Sequence, residues 1–444
     1  STAKNRELSQ RASAVAARFA MSGATTAACC AILALCVLDA LPVKYALPVA
    51  VVLTILSIRA KPLATTADAM RAFYYRHHGA IFLGEIGVDA LPRPPPPGPN
   101  QLLVRVKAAA LNPADVAQAM GAQAALLRFD WPRVVGFDFS GVVEATGADA
   151  NFKVGERVFG MIRGLPQRDR GTLAELVLVD ADVVARCPPR ATDAECAAVP
   201  LVGITAVKML RGSGLTEAPP SSPGPRVLVT GGAGGVGSIA IQLAKLMFGA
   251  SEVVATASPG AKTELCASLG ADRVVDYRAK TPWWRTLADE AKRFDSVLVT
   301  TGESAAVARA GLVARGGGIG SCTAPPAVTS IRTWLAEARV PKADVTPGIH
   351  AFLHSEWGGA LFELFTGARS VRRSLDKVGA RYGHVIGTGD GAIVQKLAEL
   401  LEAGTLRPVI DRRYALGDAR EALAYLRTGR AAGKVVVLVE EGGQ

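Results

Sequence analysis

Residues 226–247 read RVLVTGGAGGVGSIAIQLAKLM. A short apolar run meets a glycine-dense turn, which opens into a segment whose apolar residues recur at helical spacing. Gly232, Gly234 and Gly237 form G-x-G-x-x-G in the strand–turn–helix setting that gives this pattern its meaning. The first glycine permits a tight turn, the second lets backbone approach a pyrophosphate, and the third lets the helix pack closely on its sheet. The helix N-terminus then faces the phosphates. The competing reading is a glycine turn kept for close packing alone.

Strand and helix patterns continue to alternate downstream, in EVVATAS (252–258), KTELCASLG (262–270), RVVDY (273–277), SVLVTTG (296–302) and GGGIGSC (316–322). That order predicts an α/β fold built on a parallel, doubly wound sheet. An NAD-specific site places Asp or Glu at the end of the second strand, to accept a hydrogen bond from the ribose 2′-hydroxyl. Here Ala257 and Ser258 stand there, with Lys262 shortly after. A hydroxyl and an ammonium suit a 2′-phosphate, so NADPH is the expected cofactor; Lys262 also reads as an ordinary surface lysine.

The chain has 444 residues, half of them hydrophobic, and a formal net charge of +11, enough for two folded domains and an extension. Its Lys and Arg are spread along the sequence with no basic stripe interleaved with aromatics, so no nucleic-acid partner is expected. The cysteines (29, 30, 36, 187, 196, 266 and 322) form no CxxC pair, which argues against a disulfide framework or a zinc site. No metal is expected. His350 and His354 lie four apart in GIHAFLHSEWGGALFELFTG (348–367) and read as a solvated face. That aromatic and Leu-rich segment itself reads as a core or dimer helix, or else as a docking face for membrane or a partner protein.

Residues 1–69 stand apart. Arg6, Arg11 and Arg18 among Ser and Ala resemble the end of a mitochondrial targeting segment. ATTAACCAILALCVL (24–38) and ALPVAVVLTILSI (46–58) follow, with Arg18 before the pair and Arg59 and Lys61 after it. This predicts a transmembrane helical hairpin over 20–38 and 41–58, with membrane lipid as its partner. An uncleaved presequence and a buried helical hairpin are the alternatives. From Met70 short β-rich runs begin, punctuated by Gly, Pro and Asn. PRPPPPGPN (92–100) among them reads as a rigid surface turn.

AAALNPADV (108–116), GFDFSGVVEATG (136–147), FKVGERVFG (152–160), the glycine stretch and AGTLRPVIDRRYALGDAREALAYL (403–426) together resemble the medium-chain dehydrogenase/reductase superfamily. The likeness runs from about Met70 to Val439. It is closest to the zinc-free quinone oxidoreductase branch, and within that to the mitochondrial reticulon-interacting NADPH oxidoreductases. It implies a GroES-like substrate domain at 70–197, a Rossmann NADPH-binding domain at 198–345, and a C-terminal part, 346–444, that returns to the GroES-like domain.

Zinc-dependent relatives carry Cys where this chain has Asn112 and His where it has Phe137, so the resemblance implies no zinc. It places Ala233, Gly235 and Val236 on the phosphate loop, Ser258 and Tyr277 at the adenosine phosphate end, Gly433 and Lys434 against the cofactor, and Asn112 and Thr205 near the nicotinamide. Two departures stand out. Relatives carry Arg and Tyr at the substrate-bordering positions held here by Ala119 and Ala122, and read D-x-V-G-G where this chain has VTTGE (299–303).

Two functions follow as expectations. One is a membrane-anchored reductase of quinones or enones at the mitochondrial inner membrane, its globular part in the matrix, transferring hydride from NADPH. The other is a catalytically degenerate accessory subunit of a respiratory-chain assembly that keeps NADPH as a structural ligand.

Overall fold

The computed structural model describes residues 69–77, 86–121, 131–164, 171–219, 223–290, 292–323 and 368–440, with isolated positions between 331 and 345. The expected hairpin at 20–38 and 41–58 lies outside the described residues, as do Ala122 and the segment 348–367. Among the described residues no helix is long and apolar enough to cross a membrane.

The first unit contains β1 (Ala69–Tyr75), β2 (Ile86–Pro92), β3 (Gln101–Leu111), β4 (Arg133–Val134), β5 (Asp138–Thr146), β6 (Arg157–Met161), β7 (Leu176–Asp180) and β8 (Val184–Arg186). Helix α1 (Pro113–Ala119) follows β3, and α2 (Asp193–Ala197) and α3 (Pro200–Gly212) lead into the second unit. That unit alternates β9 (Arg226–Val229), α4 (Gly235–Leu246), β10 (Glu252–Ala257), α5 (Ala261–Ser268), β11 (Arg273–Asp276), α6 (Trp283–Ala288), β12 (Phe294–Val299), α7 (Ser304–Arg309) and β13 (Val313–Ser321). The chain ends with α8 (Ala368–Asp376), β14 (Arg381–His384), α9 (Gly391–Glu402), β15 (Ile410–Ala415), α10 (Ala419–Arg427) and β16 (Lys434–Leu438).

The second unit is a six-stranded sheet ordered β11-β10-β9-β12-β13-β14, parallel throughout. β9, β10 and β12 read as near-continuous Val-rich runs because helices cover both their faces, and Val227, Leu228, Val253, Val254, Val297 and Leu298 are fully buried. β14 falls within 346–444, which the sequence assigns wholly to the returning domain. RYGH is too short and polar to read as a strand, yet it pairs in parallel with Gly318–Ser321 and completes this sheet. The return begins after it.

β15 and β16 then join the sheet of the first unit, where β16 pairs antiparallel with β3, matching Val436 with Ala110. The β-rich unit is therefore built from both ends of the described chain, with the parallel sheet inserted between them.

Helix α1 starts at the seam between the units. Its N-cap is Asn112, and Asp115 closes a capping box by accepting the Asn112 N–H at 2.7 Å. The other Asp115 oxygen accepts the Gly136 N–H at 3.0 Å. Gly136 sits at φ +109, and a Cβ there would collide with Thr172. One buried carboxylate thus brings Asn112 and Phe137 to the same place. Burial pushes the Asp115 carboxyl up to about 7, against the pull of the two N–H donors and of Lys434.

Because this folded-state pKa lies above the unfolded value near 4, the stabilisation is complete below about pH 4 and is lost as pH rises through about 7. Denaturant titrations of the protein and of Asp115→Asn across pH 5–8 should show the native advantage shrinking by on the order of 2 kcal/mol. A pH-independent difference would contradict this.

Candidate functional site

A cleft of about 700 Å³ runs between the two units. It opens at the carboxyl ends of β9 and β12, where the strand order reverses, the usual place for a ligand on such a sheet. Of the residues the sequence assigns to the phosphate loop, Ala233, Gly234, Gly235, Val236 and Gly237 line it. Ser258, Lys262 and Tyr277 line one end, and Asn112, Thr205, Gly433 and Lys434 also border it. Gly232 does not.

The glycines divide their work differently from the sequence reading. Gly231 carries the positive φ, +61, and makes the turn. Gly232 packs behind it: a Cβ there would sit 2.9 Å from Ala255 Cβ and from Cys266 Sγ. Gly237 is the close-approach position, since a Cβ would overlap the Gly231 carbonyl oxygen. α4 begins at Gly235 with Gly234 as N-cap and no side-chain cap, so its first-turn N–H groups lack intrahelical acceptors and border the cleft. This is the cradle a pyrophosphate needs.

Threonines brace that cradle. Thr256 accepts the Gly231 N–H at 3.0 Å, and Thr230 accepts from Thr300 N at 2.9 Å and from Thr301 Oγ1 at 2.8 Å. Thr301 Oγ1 also lies within hydrogen-bond reach of the Glu303 carboxylate, which comes to the cleft wall. None of these threonines is marked by the glycine motif; Thr300 and Thr301 fall in the VTTGE stretch, and all stand at or near the ends of adjacent parallel strands.

At the far end Ser258 is buried, whereas Tyr277 is 47% exposed with the Arg278 guanidinium 5.8 Å from its ring centroid. Lys262 is no free surface charge. Its Nζ donates to the Arg430 carbonyl at 2.8 Å, tying α5 to the loop before β16. Trp283, absent from the sequence reading, lines the cleft as well.

The other end centres on Lys434. Its ammonium is 4% exposed at side-chain level, pairs with Asp138 Oδ2 at 3.0 Å and donates to Asn112 Oδ1. Asn112 Nδ2 donates to Asp138 Oδ2 at 2.9 Å and to the Ala110 carbonyl at 3.2 Å. The remaining Asp138 oxygen accepts the Leu201 N–H at 2.7 Å. Both Asn112 amide protons are therefore committed to protein groups. Asp138 escaped the sequence reading although it sits beside Phe137 in GFDFSG.

Apolar walls from Leu111, Phe137, Leu201, Val202, Val385 and Ile386 surround this end, with Thr205, Cys322 and Thr323 among them. Ala119 is fully buried in the core and is not part of the cleft wall, so its methyl group does not stand where the sequence expects a substrate. α1 turns that side chain toward the packed interior. Ala122 lies outside the described residues.

The donor set does not fit zinc. An amide and a phenyl ring occupy the two positions, and among the described residues no group of three or more His, Cys, Asp or Glu could hold a metal ion.

Sequence profiles match in two places: the alcohol dehydrogenase GroES-like domain at residues 98–189 and the zinc-binding dehydrogenase family at 269–437. The chain is 32% identical over 374 residues to the 2-methylene-furan-3-one reductase of Solanum lycopersicum, spanning 83% of this chain and 79% of that protein. It is 30% identical over 357 residues to the mitochondrial NAD(P)H oxidoreductase RTN4IP1 of Mus musculus, spanning 77% and 82%. Among solved structures, the quinone oxidoreductase from Coxiella burnetii matches with a TM-score of 0.62 at 25% identity, over 84% of this chain and 100% of that one.

Glu303 sets a test of the cleft's polarity. Its carboxylate opposes any phosphate in the cradle, so Glu303→Gln should tighten NADPH binding about three- to tenfold in a fluorescence titration at low salt. The gain should shrink as salt rises. An unchanged affinity would mean that the carboxylate points away from the ligand.

Proposed function

Because the chain belongs to the medium-chain dehydrogenase/reductase superfamily, we propose that it is a zinc-free, NADPH-dependent oxidoreductase acting on quinones or enones. The carrying observation is that the phosphate cradle and the Asn112–Asp138–Lys434 cluster face one cleft with apolar walls. Names of similar proteins support the substrate class: one reduces a methylene-furanone, and another is a quinone oxidoreductase. NADPH, when bound, supplies a hydride.

The protein's part is placement. The open N–H groups of α4 would hold the pyrophosphate, and Ser258, Lys262 and Tyr277 would receive the 2′-phosphate, Lys262 keeping its tie to the loop it already braces. Lys434 has three ammonium protons. Asn112 and Asp138 take two, leaving one to meet an oxygen in the cleft. Asn112 acts as a positioning residue, because its amide is spent on holding Lys434 and Asp138. Apolar walls keep water from the reacting atoms.

Attachment to a mitochondrial membrane completes the reading. The apolar stretches 24–38 and 46–58 support the membrane, and the mitochondrial relative supports the organelle. A second reading, an accessory subunit of a respiratory-chain assembly that keeps NADPH as a structural ligand, is favoured by one observation: Asn112 has no amide proton left for a substrate. Co-migration with a large complex on native gels would support it.

Steady-state assays with NADPH or NADH against a ubiquinone analogue and an α,β-unsaturated ketone test the first reading. Turnover with NADPH, insensitive to chelator, is expected; turnover no faster than buffer with NADPH demonstrably bound would overturn it. Lys434→Met combined with Asp138→Asn avoids stranding a buried carboxylate, which alone costs about 3–5 kcal/mol. That pair should lower kcat at least about tenfold with little change in KM for NADPH. A raised KM with kcat intact would make Lys434 a phosphate ligand instead.

A further inference from the structure

One end of the cleft is walled by Ser258, by Lys262 at the start of α5, by Tyr277 just past β11, and by Gly429 and Ala431 in the loop before β16. Ser258 is 6% exposed, and its hydroxyl bonds to no described residue, so it is open to a ligand. Lys262 is already committed. Its Nζ donates to the Arg430 carbonyl at 2.8 Å and lies 3.5 Å from the Ala431 carbonyl. Two of its three protons therefore face backbone, and they hold the loop against α5.

Arg278 is not committed. It is exposed, and no described carboxylate pairs with it. Its own N–H donates to Asp276 Oδ1 at 2.8 Å, which turns that neighbouring carboxylate onto the backbone. Its guanidinium lies 5.8 Å from the Tyr277 ring centroid. Guanidinium groups also lie beside Tyr74, Phe152, Phe294 and Tyr425, but of these five rings only Tyr277 lines the cleft. That sets Arg278 apart from the other exposed arginines: the ring that borders this end of the cleft also carries a fork of unspent donors.

We infer that Arg278 decides between NADPH and NADH by taking the 2′-phosphate on its guanidinium, while Lys262 serves mainly as a positioning residue. The inference rests on the NADPH reading above and assigns its selectivity to one side chain. A guanidinium offers two parallel N–H groups that match two phosphate oxygens, whereas an ammonium already facing two carbonyls has one proton left. The Tyr277 face restrains the planar fork, so less freedom is lost when it closes on an anion. Loss of Arg278 removes a contact that NADH never makes. Loss of Lys262 releases the wall formed by Gly429 and Ala431, against which either cofactor would lie.

Full-length protein is titrated with NADPH and with NADH by cofactor fluorescence, a measurement that needs no turnover. Wild type should prefer NADPH at least about tenfold. Arg278→Gln, at an exposed position, should weaken NADPH about tenfold and leave NADH within about twofold, and Arg278→Lys should recover part of the loss. Lys262→Gln should weaken both cofactors by similar factors and keep most of the preference. Lys262→Arg, which can still donate to both carbonyls, should restore binding. A preference that survives Arg278→Gln, an equal loss for the two cofactors in that variant, or a preference that collapses on Lys262→Gln overturns the inference. Wild-type binding that is equal for the two cofactors, or absent, sinks the NADPH reading itself and the inference with it.

Discussion

The buried pair of Lys434 and Asp138 is the constraint on which the site depends. Taking both charges out of water is costly, and the cost is offset because both Asp138 oxygens and the Asn112 amide are matched by protein groups. Asp138 receives the Lys434 ammonium, the Asn112 amide and the Leu201 N–H. Those three partners belong to the last strand, the start of α1 and the first turn of α3. Shifting any one element strands a charge in the interior, so the pair fixes the relation of the β-rich unit to the parallel-sheet unit at the floor of the cleft. The Gly433 N–H bond to the Ala233 carbonyl, at 2.9 Å, adds a backbone tie from the same strand to the phosphate loop.

Much of this was legible in the sequence, for physical reasons that differ from element to element. The parallel sheet announced itself because strands buried on both faces must be apolar throughout, as RVLV and EVVATA are. The glycine turn was legible because only glycine tolerates its contacts. Which glycine does what was not, since adjacent residues 231 and 232 look identical in sequence and differ only in φ and in what lies behind them. β14 was missed because four partly polar residues carry no usable period.

The polar cluster was half visible. Resemblance brought Lys434 and Asn112 to the cleft, but nothing in their spacing, 322 positions apart, reveals that they bond to each other. Asp138 carries no signal of its own in GFDFSG, where Phe137 is the residue that departs from the zinc pattern. Ala119 misled for the opposite reason. The NPAD motif fixes its place in the sequence, yet the direction of a side chain on a one- to two-turn helix is set by tertiary packing, which turns it into the core.

The pairing of β16 with β3 has a consequence for biosynthesis. Residues 101–111 leave the ribosome well before their partner strand, 434–438, is made. The alternating unit can fold on the way, since its strands neighbour one another in sequence. The cleft floor cannot, because its ammonium has not yet been translated. Until β16 is made, Asp138 lacks its ammonium partner and part of one edge of β3 is unpaired, open to wrong pairing. Assembly of the site waits for β16, however much has folded before it.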